Sequence, residues 1–179
     1  MTKEEFLHLK EFSDSLNIEF FASAFHPDRF QWILDAGLQT NKIASMLVNH
    51  DPSLCREMIN SGMLTYCSLG RWDGEGYPFE QENVKYFHCV SKYPHTIDEA
   101  LALMPDRFDD RLVGYSDHTD SIEACVEAVK RGAKILEKHF TIDKALQSKT
   151  EGAHTCSMVM EELAELRNLC DKHTGGNNG

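Results

Sequence analysis

The sequence predicts an α/β fold with a parallel sheet, and two observations carry this prediction. Apolar segments with the two-residue period of strands recur along the chain, and segments with the 3.6-residue period of helices separate them. From Leu112 to Thr141 the period changes from strand to helix to strand, as in a βαβ unit. Since the two strands of such a unit are parallel, we expect a parallel sheet with helices packed against it.

The first part of the chain has clear element boundaries. An apolar stripe predicts a helix at residues 3–16, and the apolar run 18–23 predicts a buried strand. Pro27 is suited to start the second helix, and Gly37 is suited to end it. A second strand is predicted at 41–45. The third helix has its cap, its first residue and its end at Asp51, Pro52 and Gly62.

The remaining segments continue the alternation to six strands. Strands at 64–68 and 84–91 are joined by a glycine-rich loop, and the βαβ unit supplies strands five and six. The helix before that unit has its apolar face at Ile97, Ala100, Leu101 and Met104. A final amphipathic helix is predicted at 157–173. We therefore expect one domain of about six βα units at 1–172 and a flexible tail at 173–179.

Charge and composition exclude several classes of function. The formal net charge is -11 and no basic stripe offsets it, which argues against nucleic acid as a partner. No apolar run approaches the roughly 18 residues of a membrane span, and the charged start of the chain is unlike a signal peptide. The six cysteines show no zinc spacing, so we expect them to be buried apolar residues in a reducing compartment. A cytoplasmic protein is expected.

Polar residues end nearly every predicted strand, and this favours a barrel-like arrangement. These residues are Ser23, Ser45, Ser68, Ser91, Ser116, His118 and His139. The GxGxxG and Walker patterns of nucleotide-binding sheets are absent. In (β/α)8 barrels the active site is built at the carboxyl ends of the strands. Any single serine here, taken alone, is better explained as a turn or cap residue than as a ligand.

Two histidines lie at the ends of the last two predicted strands. His118 shares a strand face with Ser116, and His139 shares one with Glu137, because side chains alternate with period two. Neighbouring strands lie about 4.8 Å apart, so the two imidazoles could reach one divalent cation. From the residues alone, a hydrogen-bonded structural role for each histidine is an equal alternative.

Six short motifs occur in order and at βα spacing: FASAFH, NKIAS, YCSLG, HCVSKYP, YSDHT and EKHFT. Together they resemble the signatures of the N-acetylneuraminate (sialic acid) synthase family. The resemblance implies a (β/α)8 TIM-barrel-like fold, incomplete in this chain. It implies a transferase of carbohydrate biosynthesis that condenses phosphoenolpyruvate with an N-acetylated hexosamine, such as N-acetylmannosamine, to give a nonulosonic acid and phosphate. It also implies a divalent metal, Mn²⁺ with Mg²⁺ as the alternative.

The resemblance assigns roles to individual residues. His118 and His139 would be metal ligands and, with Glu137, the catalytic groups. Glu137 would orient or charge-balance the histidines, although an ion pair with Lys42 is an equal alternative. Tyr93 would contact the sugar. Phosphoenolpyruvate would be held by Ser23, Lys42, Ser45, Ser68 and Ser116.

Several positions depart from the family pattern. A complete barrel has eight strands, and the family's first two βα units and its C-terminal antifreeze-like domain have no counterpart in the motifs. Leu47 and Ala153 replace acidic residues of the family, and Cys67 and Leu69 alter a serine-bearing strand end. We therefore expect a homo-oligomer, or a partner chain that completes the barrel. Two alternatives stay open: a non-catalytic or partner-dependent binding subunit, and a related phosphoenolpyruvate aldolase for another acceptor.

Overall fold

Helices and strands alternate along the chain, as the sequence predicts. The structure, a computed structural model, describes residues 1–92, 95–147 and 156–175. The helices of this part are α1 (Lys3–Ser15), α2 (Pro27–Asp35), α3 (Leu47–His50), α4 (Pro52–Asn60), α5 (Ile97–Leu103), α6 (Glu123–Lys130), α7 (Lys144–Gln147) and α8 (Met160–Thr174). Its strands are β1 (Thr40–Ile43), β2 (Leu64–Ser68), β3 (Val84–Cys89), β4 (Leu112–Asp117) and β5 (Ile135–Lys138).

The chain divides into two compact units, Met1–Lys85 and Tyr86–Gly179.

The helix boundaries of the first unit follow from their caps. In the first unit Pro27 begins α2 and Pro52 begins α4, as predicted. The Asp51 carboxylate accepts a hydrogen bond of 2.9 Å from the backbone N–H of Leu54, so it caps α4.

Strands β1 and β2 form the sheet of the first unit. They are parallel, with Thr40 opposite Leu64 and Ile43 opposite Cys67. Helix α4 packs against β2. The apolar residues that these elements bury include Ile43, Leu54, Cys55, Met58 and Cys67. The burial of these side chains fixes the strand register, and the register sets which polar residues reach the ends of the strands.

Strands β3, β4 and β5 of the second unit are also parallel. The core beneath them includes Tyr115, Ala124, Cys125 and Leu166. Gly114 lets β4 fit between its neighbours, because an added Cβ would lie 2.7 Å from the Phe87 ring and 2.8 Å from the Ile135 carbonyl oxygen. The parallel α/β class is therefore confirmed.

The prediction of a buried first strand at 18–23 is wrong. Ser23 forms a single parallel bridge with Lys42, and the side chain of Ile18 is 59% exposed. The two phenylalanines of the run serve other contacts. Phe20 lies 5.3 Å from Phe6 of α1 and Phe21 lies 5.7 Å from Tyr66 of β2, measured between ring centroids. The apolar run therefore packs a helix and a strand together, and the described part of the chain has five strands instead of six.

The structure can be compared with the expectations for the cysteines, for membrane helices and for the C-terminal tail. All six cysteines lie in the described residues, where none forms a disulfide and all but Cys170 are buried, as predicted. Within the same ranges, no helix combines the length and apolarity needed to cross a bilayer. Helix α8 runs to Thr174, and the rest of the predicted tail from 176 onward lies outside the described residues.

A half-buried histidine makes the stability of the fold depend on pH. The ring of His88 in β3 stacks on Tyr115 with centroids 6.0 Å apart, and burial lowers the pKa of His88 to about 4. An unfolded histidine has a pKa of about 6.5, so below that pH the unfolded chain binds a proton that the folded chain rejects. Stability contributed by the neutral ring is therefore present above pH 6.5 and is lost as the pH falls towards 4.

We expect the free energy of unfolding to fall by about 2 to 3 kcal/mol through His88 between pH 7 and pH 4.5. His88→Phe keeps an aromatic ring beside Tyr115 and removes the titrating group. Urea denaturation of both proteins at the two pH values measures the difference. An equally steep decline in the variant would show that His88 is not the source.

Candidate active site

A buried lysine and a serine meet at the strand ends of the first unit. The Lys42 ammonium donates a hydrogen bond of 2.9 Å to the Ser68 hydroxyl. Lys42 is 8% exposed and Ser68 is 2% exposed. Ser23 lies beside them through its bridge with Lys42, whose backbone N–H donates to the Ala22 carbonyl at 3.1 Å. We call Ser23, Lys42 and Ser68 the anion cluster, because hydroxyl and ammonium donors together suit a phosphate or carboxylate.

Two imidazoles meet at the strand ends of the second unit. His118 directly follows β4 and His139 directly follows β5, since Asp117 lies opposite Lys138 in the ladder. The ring centroids of His118 and His139 are 5.6 Å apart, with an angle of 37° between the ring planes. We call these two residues the imidazole pair. The structure therefore brings together the two side chains that the sequence placed on adjacent strand ends.

The surroundings of His118 define its charge and its tautomer. Its Nδ1 atom lies 2.9 Å from the Val90 carbonyl oxygen, so Nδ1 carries the proton and Nε2 carries the ring's lone pair. The Cys89 Sγ atom is 3.8 Å from the same nitrogen. Burial lowers the pKa of His118, and the Val90 hydrogen bond and the charges of Asp117 and Glu137 oppose this only in part. His118 is therefore neutral at pH 7.

The imidazole pair matches the donor requirements of a divalent cation. Metal-bound histidine is neutral and commonly donates its second ring N–H to a carbonyl, which is the state of His118. Among residues 1–92, 95–147 and 156–175, no three His, Cys, Asp or Glu side chains are grouped to hold a metal ion. Two nitrogens are thus what the described chain offers, and further ligands would be water or substrate oxygens.

A buried ion pair, which the sequence prediction missed, lies next to the imidazole pair along both strands. It is formed by Asp117 and Lys138. The Lys138 ammonium lies 2.5 Å from the Asp117 carboxylate, and their side chains are 2% and 0% exposed. Lys138 also donates to the Thr119 carbonyl at 2.7 Å, and Asp117 accepts from the Tyr115 hydroxyl at 3.0 Å. Because these residues immediately precede the two histidines, the ion pair joins the ends of β4 and β5 where the imidazoles begin.

The other predicted site residues are placed as follows. Ser116 is 3% exposed in β4 and lies opposite the half-buried Glu137 of β5. Ser45 is half-buried just beyond β1. Leu47, the apolar substitute for an acidic residue, is 2% exposed in α3. Tyr93 and Ala153 lie outside the described residues.

Comparison with known proteins identifies relatives that match most of the chain. The model of the NeuB family matches residues 1–174. An N-acetylneuraminate-9-phosphate synthase from Drosophila melanogaster is 29% identical over 176 residues, which are 92% of this chain and 46% of the relative. An N,N'-diacetyllegionaminic acid synthase from Legionella pneumophila is 30% identical over 182 residues, covering 93% of this chain and 50% of the relative. The chain thus spans about half the length of these curated relatives.

A solved structure supports the fold assignment. The N-acetylneuraminic acid (sialic acid) synthetase of Leptospira borgpetersenii, determined with citrate, matches with a TM-score of 0.82 at 28% identity. The match covers 100% of this chain and 65% of that one. This likeness and the parallel strands confirm the predicted fold, an incomplete (β/α)8-type domain.

Proposed function

The chain belongs to the NeuB family, and from this premise we propose that it forms a carbon–carbon bond between phosphoenolpyruvate and an N-acetylated hexosamine. The products are a nonulosonic acid and inorganic phosphate, and the reaction belongs to carbohydrate biosynthesis in the cytoplasm. The observation that carries the proposal is the imidazole pair, in which two histidines of family-like motifs lie with ring centroids 5.6 Å apart.

The anion cluster suits phosphoenolpyruvate, which carries a phosphate and a carboxylate. We assign Lys42 as its cationic partner and Ser23 and Ser68 as hydroxyl donors. Charge-assisted hydrogen bonds of this kind are strongest where water is excluded, and Lys42 and Ser68 are both buried. Predicted contributions of Ser45 and Ser116 to the same ligand, and of Tyr93 to the sugar, remain part of the proposal.

The imidazole pair is assigned to activation of the electrophile, which is the aldehyde of the acceptor sugar. We assign His118 and His139 as ligands of a divalent cation, Mn²⁺ or Mg²⁺. When bound, such a cation is a Lewis acid that polarises the acceptor's aldehyde carbonyl. His118 is held by its hydrogen bond to Val90, so its lone pair keeps one direction. Glu137 is close enough to raise the pKa of His118, and we assign it to balance charge beside the pair.

In the proposed reaction, C3 of phosphoenolpyruvate attacks the aldehyde carbon of the open-chain sugar. A water molecule adds at C2, and the C2–O bond to phosphate then breaks to leave the 2-keto acid. The balance is one phosphoenolpyruvate, one aldehyde and one water in, and one nonulosonic acid and one phosphate out. No external oxidant or reductant is required.

Phosphate release tests the proposal. With Mn²⁺, phosphoenolpyruvate and N-acetylmannosamine, we expect sugar-dependent phosphate release. Lys42→Met should lower kcat/KM for phosphoenolpyruvate by roughly 10- to 150-fold, the range for losing a hydrogen bond to a charged group. Lys130→Met removes a half-exposed lysine of α6 and should leave kcat/KM unchanged. Equal kcat/KM values for the Lys42 and Lys130 variants would exclude the role given to the anion cluster.

The second candidate function is a binding subunit without turnover. The observation in its favour is Leu47, which is buried in α3 and presents no acidic group to a sugar. This alternative predicts that phosphoenolpyruvate binds while no acceptor releases phosphate. Extending the assay to other N-acetylhexosamines and to pentose phosphates separates it from an aldolase with a different acceptor.

A further inference from the structure

A third histidine of the second unit is buried without hydrogen-bond partners. His95 is 4% exposed, and neither Nδ1 nor Nε2 has a hydrogen-bond partner within the described residues. Its backbone forms a parallel bridge with Thr119, and its N–H lies 3.4 Å from the carbonyl oxygen of His118. Burying an imidazole unsatisfied costs free energy, so a side chain in this state requires an explanation such as a ligand or water.

The unpartnered ring lines a small cavity with polar and apolar walls. The cavity measures about 250 Å³ and is bounded by His95, Thr96, Ile97, Thr119, Asp120 and Ser121. Liquid water occupies about 30 Å³ per molecule, so the space exceeds what one bridging water fills. Apart from His95 itself, the side chains around it are two threonines, a serine, an aspartate and an isoleucine. This lining is neutral or acidic, which disfavours a phosphate or carboxylate.

We propose that this cavity binds hydroxyl groups of the neutral sugar acceptor, with His95 as a specificity-determining residue. A neutral imidazole has one donor and one acceptor, and a sugar hydroxyl likewise donates and accepts. The Asp120 carboxylate accepts a hydrogen bond from a second hydroxyl. Ile97 gives the cavity an apolar wall for a carbon face of the ring. The inference rests on the proposed function, because that function supplies the acceptor.

The cavity shares the loop after β4 with His118 of the imidazole pair. Thr119 follows His118 directly, and the Thr119 hydroxyl donates towards the Asp117 carboxylate at 3.0 Å. The Asp117–Lys138 ion pair therefore holds one wall of the cavity as well as the ends of β4 and β5. A sugar bound through His95 lies beside the strand ends at which enzymes of this fold carry out their chemistry.

Two variants test the assignment by binding and by kinetics. His95→Phe keeps a ring of similar size and removes the unsatisfied nitrogens, so we expect it to fold. His88→Phe is the matched control, since His88 has a partnerless Nε2 but does not line the cavity. N-acetylmannosamine is titrated into each protein with Mn²⁺ present and phosphoenolpyruvate left out, so that no turnover occurs during the titration. Histidine side-chain NMR follows the His95 ring nitrogens during the titration.

We expect the wild type and His88→Phe to bind the sugar equally and His95→Phe to bind it about three- to tenfold more weakly, with the same factor in KM for the sugar. The affinity for phosphoenolpyruvate should be unchanged. Equal sugar affinity in His95→Phe, or no sugar binding to the wild type, overturns the inference. If phosphate release fails while His95-dependent sugar binding persists, the proposed function fails and this site stands.

Discussion

Replacing Lys138 with methionine is expected to lower the free energy of unfolding by about 3–5 kcal/mol. The side chains of Lys138 and Asp117 are 2% and 0% exposed, so water cannot replace the lost ammonium. The Asp117 carboxylate would keep neutral donors, among them the Tyr115 hydroxyl and the N–H and hydroxyl of Thr119. An uncompensated buried charge is the physical reason for the large effect.

The double variant Asp117→Asn/Lys138→Met separates lost charge pairing from lost packing. With both charges removed, no buried ion is left unpaired, so we expect the double variant to be more stable than Lys138→Met alone. Lys134→Met is the control for removing a lysine from an ion pair. Lys134 lies 2.7 Å from Asp110, with side chains 64% and 93% exposed, and its loss should cost no more than about 1 kcal/mol.

Equilibrium urea denaturation at pH 7 of the four proteins gives the comparison. If Lys138→Met and Lys134→Met lose the same stability, the buried pair does not hold the strand ends together. If the double variant is as unstable as Lys138→Met, the loss comes from packing instead of charge.

Much of the fold follows from local sequence rules. The caps and stops at Asp51, Pro52 and Gly62 predicted α4, and the structure confirms the Asp51 cap. The alternation of side chains along β4 and β5 placed His118 and His139 on one edge, because parallel neighbours share a direction. These features depend only on residue types at fixed spacing, so the sequence is sufficient for them.

The structural features that were predicted wrongly or not at all depend on contacts between residues that are distant in sequence. The run 18–23 has the composition of a strand, yet Phe20 and Phe21 are used to pack against α1 and β2. A two-residue period does not reveal which neighbour a strand will find. The short helices α3 and α7, of four residues each, have too few residues to show a helical period.

The residues that complete the site were missed for a related reason. Asp117 and Lys138 stand inside the motifs YSDHT and EKHFT, where the neighbouring histidines carry the more familiar chemistry. A signal was present, since a charged residue in an apolar strand needs a partner and the two fall opposite each other in the ladder. His95 gives no such signal, because its burial depends on the loop that brings it beside Thr119.

The second large effect is the loss of metal binding in His118→Ala/His139→Ala. We expect the wild type to bind about one Mn²⁺ per chain, since the imidazole pair is a single site. Removing both ligand nitrogens should reduce the affinity for Mn²⁺ by more than 10- to 100-fold, which is the loss expected from mutating a residue that only hydrogen-bonds to a metal ligand. Isothermal titration of Mn²⁺ at pH 7 measures this, and far-UV circular dichroism checks that the variant is folded.

The control must remove two imidazoles elsewhere, because a chain with nine histidines can bind metal ions weakly through exposed rings. His8→Ala/His50→Ala does so at two exposed positions and should bind Mn²⁺ as the wild type does. Equal loss in both double variants would mean that binding is distributed over the surface. If the loss is confined to His118→Ala/His139→Ala, phosphoenolpyruvate titrated into that variant shows whether the anion cluster binds without the cation. Unchanged phosphoenolpyruvate affinity would assign recognition of the ligand's charge to Lys42 and the serines, whereas a joint loss would show that phosphoenolpyruvate binding depends on His118 and His139.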